Sequence, residues 1–112
     1  MVRIEVIDEF KRQLKALVKK HKSMKQDYAN LICDLKENPY LGVELGNGVH
    51  KIRMAIASKG KGKSGGARVI TYVIEELDND VIVHLLAIYD KSDISAVSDG
   101  YIKSLVALVE LD

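Results

Sequence analysis

The chain has a cluster of cationic side chains between Leu45 and Ile74 and no acidic residue in that stretch. The formal net charge of the 112 residues is only +1, so the positive field is local. Crowded guanidinium and ammonium groups attract polyanions, and they can neutralise charge that develops on phosphodiester oxygens. The segment therefore predicts a phosphate-binding surface, and its cations are Lys51, Arg53, Lys59, Lys61, Lys63 and Arg68.

The spacing of these cations indicates which ones can meet at one phosphate. Lys51 and Arg53 are two residues apart, so both side chains leave the same face of a strand. Arg68 lies on the following strand and can lie opposite them, and Lys91 can reach the same end of the sheet. Lysines alternate with glycines in the intervening loop, where the backbone can approach a phosphate closely. That loop supplies three candidate RNA-binding residues, Lys59, Lys61 and Lys63.

RNA is the polyanion that suits such a site best, because it carries its own nucleophile, the 2′-hydroxyl. Cleavage of RNA through this hydroxyl needs a base, a cationic clamp and an acid, and it needs no metal. Crowding by positive neighbours favours the neutral amine of Lys51, which makes Lys51 the candidate base. The many lysines of the first predicted helix are interpreted instead as a solvated surface.

Two other motifs do not predict a site. Gly62-Lys63-Ser64 resembles the end of a nucleotide-binding P-loop, but Ala57 stands where that motif needs its first glycine. A β-branched strand follows this segment, whereas a P-loop leads into a helix. The three histidines lack close Cys, His or Asp spacing for a metal. We therefore expect neither a metal nor a small-molecule cofactor.

The N-terminal third of the chain predicts one strand and two helices. Alternation of apolar and charged residues around Ile4 indicates a short strand with one buried face. Apolar residues at helical spacing then predict two amphipathic helices, and Asn38-Pro39 ends the second. Ser23, with Gln26 three positions later, predicts a capping box at the start of that second helix. The link between the helices is short, so they are expected to form an antiparallel hairpin.

The remainder of the chain predicts three strands and one helix. After a glycine-rich loop, the apolar pattern has a period of two over residues 51–56 and 67–76. Residues 81–89 are almost wholly apolar, as in a central strand covered on both faces. Ser98 or Asp99 can cap the last helix. The predicted fold is α+β, with the order β-α-α-β-β-β-α and a small, mostly antiparallel sheet packed by the N-terminal helical hairpin and the C-terminal helix.

Composition places the chain among ordinary globular domains. Hydrophobic residues make up 47% and charged residues 29%, and we expect a single domain over residues 1–112. No apolar run approaches the ~18 residues that a membrane helix needs, and no signal-peptide pattern is found. The expected location is the cytoplasm, with no membrane partner.

Three segments together carry a resemblance to a known family. They are His50-Lys-Ile-Arg-Met-Ala-Ile-Ala57, Gly66-Ala-Arg-Val-Ile-Thr-Tyr72 and Leu85-Leu-Ala-Ile-Tyr-Asp-Lys91. In order and spacing they resemble the RelE/ParE superfamily of bacterial toxins from type II toxin–antitoxin modules, over essentially the whole chain. The extended basic loop, Ser58 to Arg68, is similar to that of a RelE-like branch.

The resemblance implies a ribosome-dependent mRNA endonuclease that is silenced by a cognate antitoxin. Lys51 and Arg53 match the basic pair on the second strand of the predicted fold, and Arg68 matches the arginine that contacts the scissile phosphate. Lys91 stands where the family pattern usually has an arginine. RelE-like nucleases commonly have a tyrosine or histidine at the position of Val97, so the acid remains open between Tyr101 and Tyr89.

Two other functions remain open beside the nuclease. One is a ParE-like toxin that poisons DNA gyrase, and the other is a catalytically degenerate RNA- or ribosome-binding protein. The expected partners of the nuclease are the ribosome, mRNA and an antitoxin whose flexible acidic or amphipathic segment covers the basic face.

Overall fold

The structure is a computed structural model that describes residues 1–111. It contains three α-helices and five β-strands, with a short 3₁₀ turn at Ala57–Lys59. In chain order they are β1 Val2–Val6, α1 Asp8–Lys20, α2 Met24–Glu37, β2 Val43–Gly46, β3 Val49–Met54, β4 Ala67–Glu75, β5 Val81–Asp90 and α3 Asp99–Glu110. The predicted α+β class is confirmed.

All five strands form one mixed sheet in the order β1-β5-β4-β3-β2. β1 pairs with β5 in parallel, and the other three pairings are antiparallel. β5 lies inside the sheet between β1 and β4 and is buried along nearly its whole length, as its apolar sequence predicts. The ends of β3, β4 and β5 that bear Arg53, Arg68 and Tyr89 therefore lie side by side.

The two faces of the sheet are covered by different helices. α1 and α2 cover one face, where Phe10, Leu17, Met24, Leu31 and Leu35 are buried against the sheet. α3 covers the other face, and the residues buried there are Val49, Ile70, Leu86, Ala87, Tyr89, Ile102 and Leu105. Because side chains alternate along a strand, each residue of β3 and β4 is assigned to one of these faces.

The short strand β2 is the element that the sequence did not predict. It lies within the segment interpreted as a glycine-rich loop, and both of its faces are exposed, so it has no buried alternating pattern. A signal for it is present nonetheless. Asn47-Gly48, with φ of 52° and 85°, connects β2 to β3, and Asn-Gly with two positive φ values is typical of a type I′ hairpin turn.

The starts of α2 and α3 show one prediction that is wrong and one that is confirmed. The Ser23 side chain makes no capping hydrogen bond, and its hydroxyl instead donates to Asp27 Oδ2 at 2.7 Å. Ser98 caps α3 as predicted, because its Oγ accepts the backbone N–H of Tyr101 at 3.1 Å.

Across residues 1–111, none of the helices combines the length and apolar character that a bilayer crossing requires.

Candidate nucleic-acid interface

Strand pairing brings the two candidate arginines together. Arg53 of β3 lies directly opposite Arg68 of β4 in the antiparallel register, and Lys51 lies opposite Ile70. Their neighbours Ile52, Met54, Ala67 and Val69 belong to the core under α1 and α2. Alternation therefore puts Lys51, Arg53 and Arg68 on the face of the sheet that carries α3. The three residues therefore share one face of the sheet, and their convergence on a single phosphate stays a prediction.

Arg68 is an unusual member of this group because it is buried. Only 4% of the residue is exposed. Its Nη1 donates to the backbone oxygens of Lys63 at 2.9 Å and Ala67 at 3.1 Å. Among residues 1–111, no carboxylate lies within 4.0 Å of its guanidinium. A buried charge normally has a counter-ion, so this guanidinium is suited to an anion from outside the chain.

A groove of about 620 Å³ runs along the outer edge of β3, beside Arg53. Lys51, Arg53 and Lys63 line it on the sheet and loop side. β2 pairs with β3 only as far as Lys51, so the edge of β3 beyond that residue borders this groove. The α2 wall carries Asp27, Asn30 and Asp34, and apolar side chains line the rest, so the groove has one basic wall and one polar-acidic wall.

The first residues of the basic loop are held against α2. The N–H of Ala57 donates to Asp27 Oδ2 at 3.2 Å, and the N–H of Ser58 donates to Ser23 Oγ at 2.9 Å. Asp27 is itself buried, with 8% exposure. The loop then turns through Gly60 and Gly62, whose φ values of 69° and 62° favour glycine.

Lys59 differs from the other lysines of this loop because it forms an ion pair. Its Nζ lies 2.8 Å from Oδ1 of Asp90, and its side chain is 13% exposed. Its ammonium is therefore already bound to a carboxylate on the face that carries α1 and α2. The assignment of Lys59 to RNA stays a prediction, and Lys59 does not line the groove that Lys51, Arg53 and Lys63 line.

Asp90 is the residue that sequence reasoning missed. His21 Nε2 lies 2.9 Å from its Oδ2, and Ser92 donates to its Oδ1 from both the backbone N–H at 2.9 Å and the hydroxyl at 2.6 Å. Burial alone would raise the pKa of Asp90, but the hydrogen bonds from Lys59, Ser92 and His21 hold this pKa far below its usual range. A signal was present in the sequence, since an acidic residue directly ends a buried apolar strand.

The two candidate tyrosine acids line one small cavity of about 300 Å³ beside Val97. The hydroxyl of Tyr101 donates to Glu9 Oε2 at 3.0 Å and accepts from Gln13 Nε2 at 2.8 Å, so α1 already binds it. Burial raises the pKa of Tyr101; Gln13 opposes this shift and Glu9 adds to it. The structure thus places Tyr101 in a packing contact between α3 and α1.

Tyr89 lies directly opposite Arg68 in the pairing of β4 with β5. Its hydroxyl is buried and makes no hydrogen bond of 3.5 Å or less with any residue in the range 1–111. Burial raises the pKa of Tyr89, although the charge of Arg68 and the nearby backbone amide of Val97 act in the opposite direction. Of the two tyrosines, Tyr89 is the one adjacent to the candidate phosphate site.

The remaining two cations are on the surface. Lys61 and Lys91 are exposed, and no ion pair among residues 1–111 includes either side chain. The backbone N–H of Lys91 donates to the carbonyl of Gly66 at 3.0 Å, which joins the end of β5 to the start of β4.

The arrangement can bind a phosphodiester chain. Arg53 and Arg68 lie opposite each other on neighbouring strands, and each guanidinium is a group that can donate to phosphate oxygens. Lys51 and Lys63 add positive charge along the groove that Arg53 lines, whereas Arg68 is buried and does not line the groove. Within residues 1–111, no three His, Cys, Asp or Glu side chains come together as a metal-binding group.

No protein-family model matches the sequence.

Proposed function

We propose that the chain is the toxin of a toxin–antitoxin module and acts on mRNA at the ribosome as an endonuclease. In this proposal Arg68 and Arg53 bind the scissile phosphate, and the 2′-oxygen attacks in line. Lys51 or Lys91 transfers protons, and the products are a cyclic phosphate and a free 5′-hydroxyl. The motifs that resemble RelE-like toxins support the reaction, and the geometry of Arg68 supports the phosphate site.

The observation that carries the proposal is the buried guanidinium of Arg68, which has no carboxylate within 4.0 Å among the residues described. Removing such a charge from water without a counter-ion is costly. A bound phosphate would supply the missing negative charge. The adjacent Arg53 is exposed, so a phosphate could reach the pair from solvent.

Induced expression in a bacterium tests the proposal directly. We expect translation to stop and mRNA to be cut within codons. Arg68→Ala should lower the cleavage rate by roughly 10²–10³, by analogy with the loss of a donor that stabilises transition-state charge. Lys22→Ala removes an exposed lysine from the link between α1 and α2 and is the matched control, with no expected effect. Halted growth with intact messages would contradict the nuclease, and DNA-damage signalling in that case would favour a gyrase poison.

A second candidate is a protein that binds RNA or the ribosome without cleaving it. The observation that favours it is the bound state of Tyr101, whose hydroxyl is shared between Glu9 and Gln13, combined with Val97 at the position where the family pattern has its acid. This candidate predicts salt-sensitive RNA binding with no cyclic phosphate product. Incubating purified protein and programmed ribosomes separates the two functions.

A neutralising antitoxin is part of the proposed function. Lys51, Arg53 and Lys63 line the groove and form no ion pair within 4.0 Å among residues 1–111, so this wall of the groove suits an acidic segment that covers it. Co-expression of the adjacent open reading frame should relieve growth arrest if that frame encodes the antitoxin. Relief that persists when the adjacent frame carries an early stop codon would contradict this assignment.

A further inference from the structure

Residues 57–66, which precede β4 and include most of the basic loop, are held to the body of the protein at both ends and at Lys59, and the Gly66 carbonyl also accepts from the Lys91 N–H at 3.0 Å. Asp27 and Ser23 bind the backbone of the first two residues. Arg68 binds the Lys63 carbonyl near the other end, at 2.9 Å. Between these points, the side chain of Lys59 reaches Asp90. Only this Lys59 contact is made by a loop side chain to a buried charge.

Both carboxylate oxygens of Asp90 are already bound by side chains or backbone of the same chain. Its carboxylate is fully buried, and Lys59, His21 and Ser92 all contact it at 2.9 Å or less. Lys20 lies 3.7 Å away and pairs with Asp93 at 2.9 Å. With its oxygens bound, this carboxylate does not compete for Lys61 or Lys63. The acidic group that contacts a loop lysine is thus paired with that lysine, whereas Asp27 contacts the loop only through the backbone N–H of Ala57.

We propose that Asp90 is a positioning residue for the basic loop, which it fixes through Lys59 so that Lys61 and Lys63 are presented to RNA. This inference rests on the proposed function, since it assigns the two lysines to phosphate contacts. Lys63 lines the same groove as Lys51 and Arg53, which is where a fixed loop places it. Lys59 itself acts as the tether and contributes no phosphate contact.

The physical effect of the tether is to lower the entropy that is lost on binding. A free loop with two long side chains must be ordered when RNA binds, and that ordering weakens the affinity. A loop that is already fixed avoids most of this loss. We expect the loss of the tether to weaken RNA affinity about tenfold, while the charges of Lys61 and Lys63 remain.

The test compares Asp90→Asn, Lys59→Met and the double variant, with Lys61→Met as the matched control in the same loop. Two quantities are measured for each protein: the affinity for a single-stranded oligoribonucleotide as a function of salt, and hydrogen exchange of the amides of Lys59 and Gly60 without RNA. Both amides donate to backbone carbonyls three positions earlier, those of Ile56 and Ala57. All measurements are made well below the melting temperature of the least stable variant.

We expect both single variants to increase exchange at these amides and to weaken affinity about tenfold without changing the salt slope. Lys61→Met should instead reduce the slope by about 0.7, since one phosphate contact is lost. The double variant should recover stability, because no unpaired charge remains in that pair, but it should keep the binding defect. A double variant that recovers full affinity would overturn the inference, because Asp90 would then act on stability alone.

The positioning role of Asp90 and the proposed function are overturned by different results. Unchanged amide exchange in Asp90→Asn and Lys59→Met overturns the positioning role, whatever the RNA affinities are. A lower salt slope in Lys59→Met also overturns it, since Lys59 would then contact phosphate. If the wild-type protein binds no oligoribonucleotide at any salt concentration, the inference is overturned, because there is no RNA affinity for the tether to improve; the proposed nuclease is refuted separately, by absence of cleavage on programmed ribosomes.

Discussion

The two faces of the β4–β5 strand pair differ in whether a buried charge has an oppositely charged partner. On the α3 face, Arg68 lies opposite Tyr89, and the guanidinium is buried with no carboxylate near it among residues 1–111. On the α1–α2 face, Asp90 lies opposite Ala67, and the carboxylate is buried among Lys59, His21 and Ser92. The two charges stand at adjacent positions of the same ladder.

The contrast separates a structural charge from a candidate binding charge. A buried ion whose oppositely charged partner comes from the same chain contributes to the folded state, and its loss leaves that partner unpaired. A buried ion without such a partner weakens the folded state until a ligand supplies the opposite charge. By this criterion Asp90 is structural, and Arg68 is a candidate for phosphate binding.

The largest expected effect is the loss of stability when the Asp90 carboxylate is removed. Asp90→Ala should lower the free energy of unfolding by about 3–5 kcal/mol, because Lys59 would be left buried without its carboxylate. Urea denaturation measures this change. Asp93→Ala, which removes an exposed carboxylate, should change the same quantity by less than about 1 kcal/mol. Equal losses in both variants would contradict a structural role specific to Asp90.

Arg68 should show the reverse pattern. Arg68→Met should weaken RNA binding by about 1.5–3 kcal/mol, the value of hydrogen bonds from a charged group, but change the free energy of unfolding by less than about 1 kcal/mol. The methionine fills a similar volume without a charge. Filter binding measures the change in RNA affinity, and urea denaturation of the same preparation measures the change in the free energy of unfolding. A large loss of stability with normal binding would assign Arg68 to the structural class as well.

The low pKa of Asp90 predicts a dependence of stability on acid. Because the folded-state pKa lies below the unfolded value of about 3.9, the unfolded chain binds more protons as the pH falls through that region. The stabilisation by Asp90 is therefore complete at neutral pH and is lost progressively below about pH 5. Asp90→Asn should flatten this part of the curve in thermal unfolding between pH 2 and pH 7. Identical slopes for the two proteins would show that other carboxylates are responsible.

The smallest effects distinguish the two tyrosines. Tyr101→Phe should lower the free energy of unfolding by about 0.5–1.5 kcal/mol, because its hydroxyl bonds to Glu9 and Gln13 are lost. Tyr89→Phe removes a buried hydroxyl that has no hydrogen bond of this kind, and it should be neutral or slightly stabilising. Cleavage assays on both variants complete the comparison. A loss of 10²-fold or more in either would identify that tyrosine as an acid–base group.

Much of the fold was predictable because its signals are local. The apolar run of β5, the alternation in β3 and the Ser98 cap of α3 each depend on neighbouring residues, and each prediction is confirmed. β2 was missed because a strand exposed on both faces has no hydrophobic period. The Ser23 capping box was wrong because the hydroxyl bonds to Asp27 and Ser58, and Ser58 lies 35 positions away in the chain.

The sequence by itself determined that Lys51 and Arg53 share a face and that a glycine-rich basic loop joins β3 to β4, since side-chain alternation and composition are properties of short segments. Only the tertiary structure decided that Lys59 is bound by Asp90, 31 positions later, while Arg68 is buried without a carboxylate among the residues described. Both outcomes depend on the register of β4 with β5 and on which helix covers each face. A positive charge is evident in the sequence, but whether it is neutralised depends on the groups that folding brings within a few ångströms.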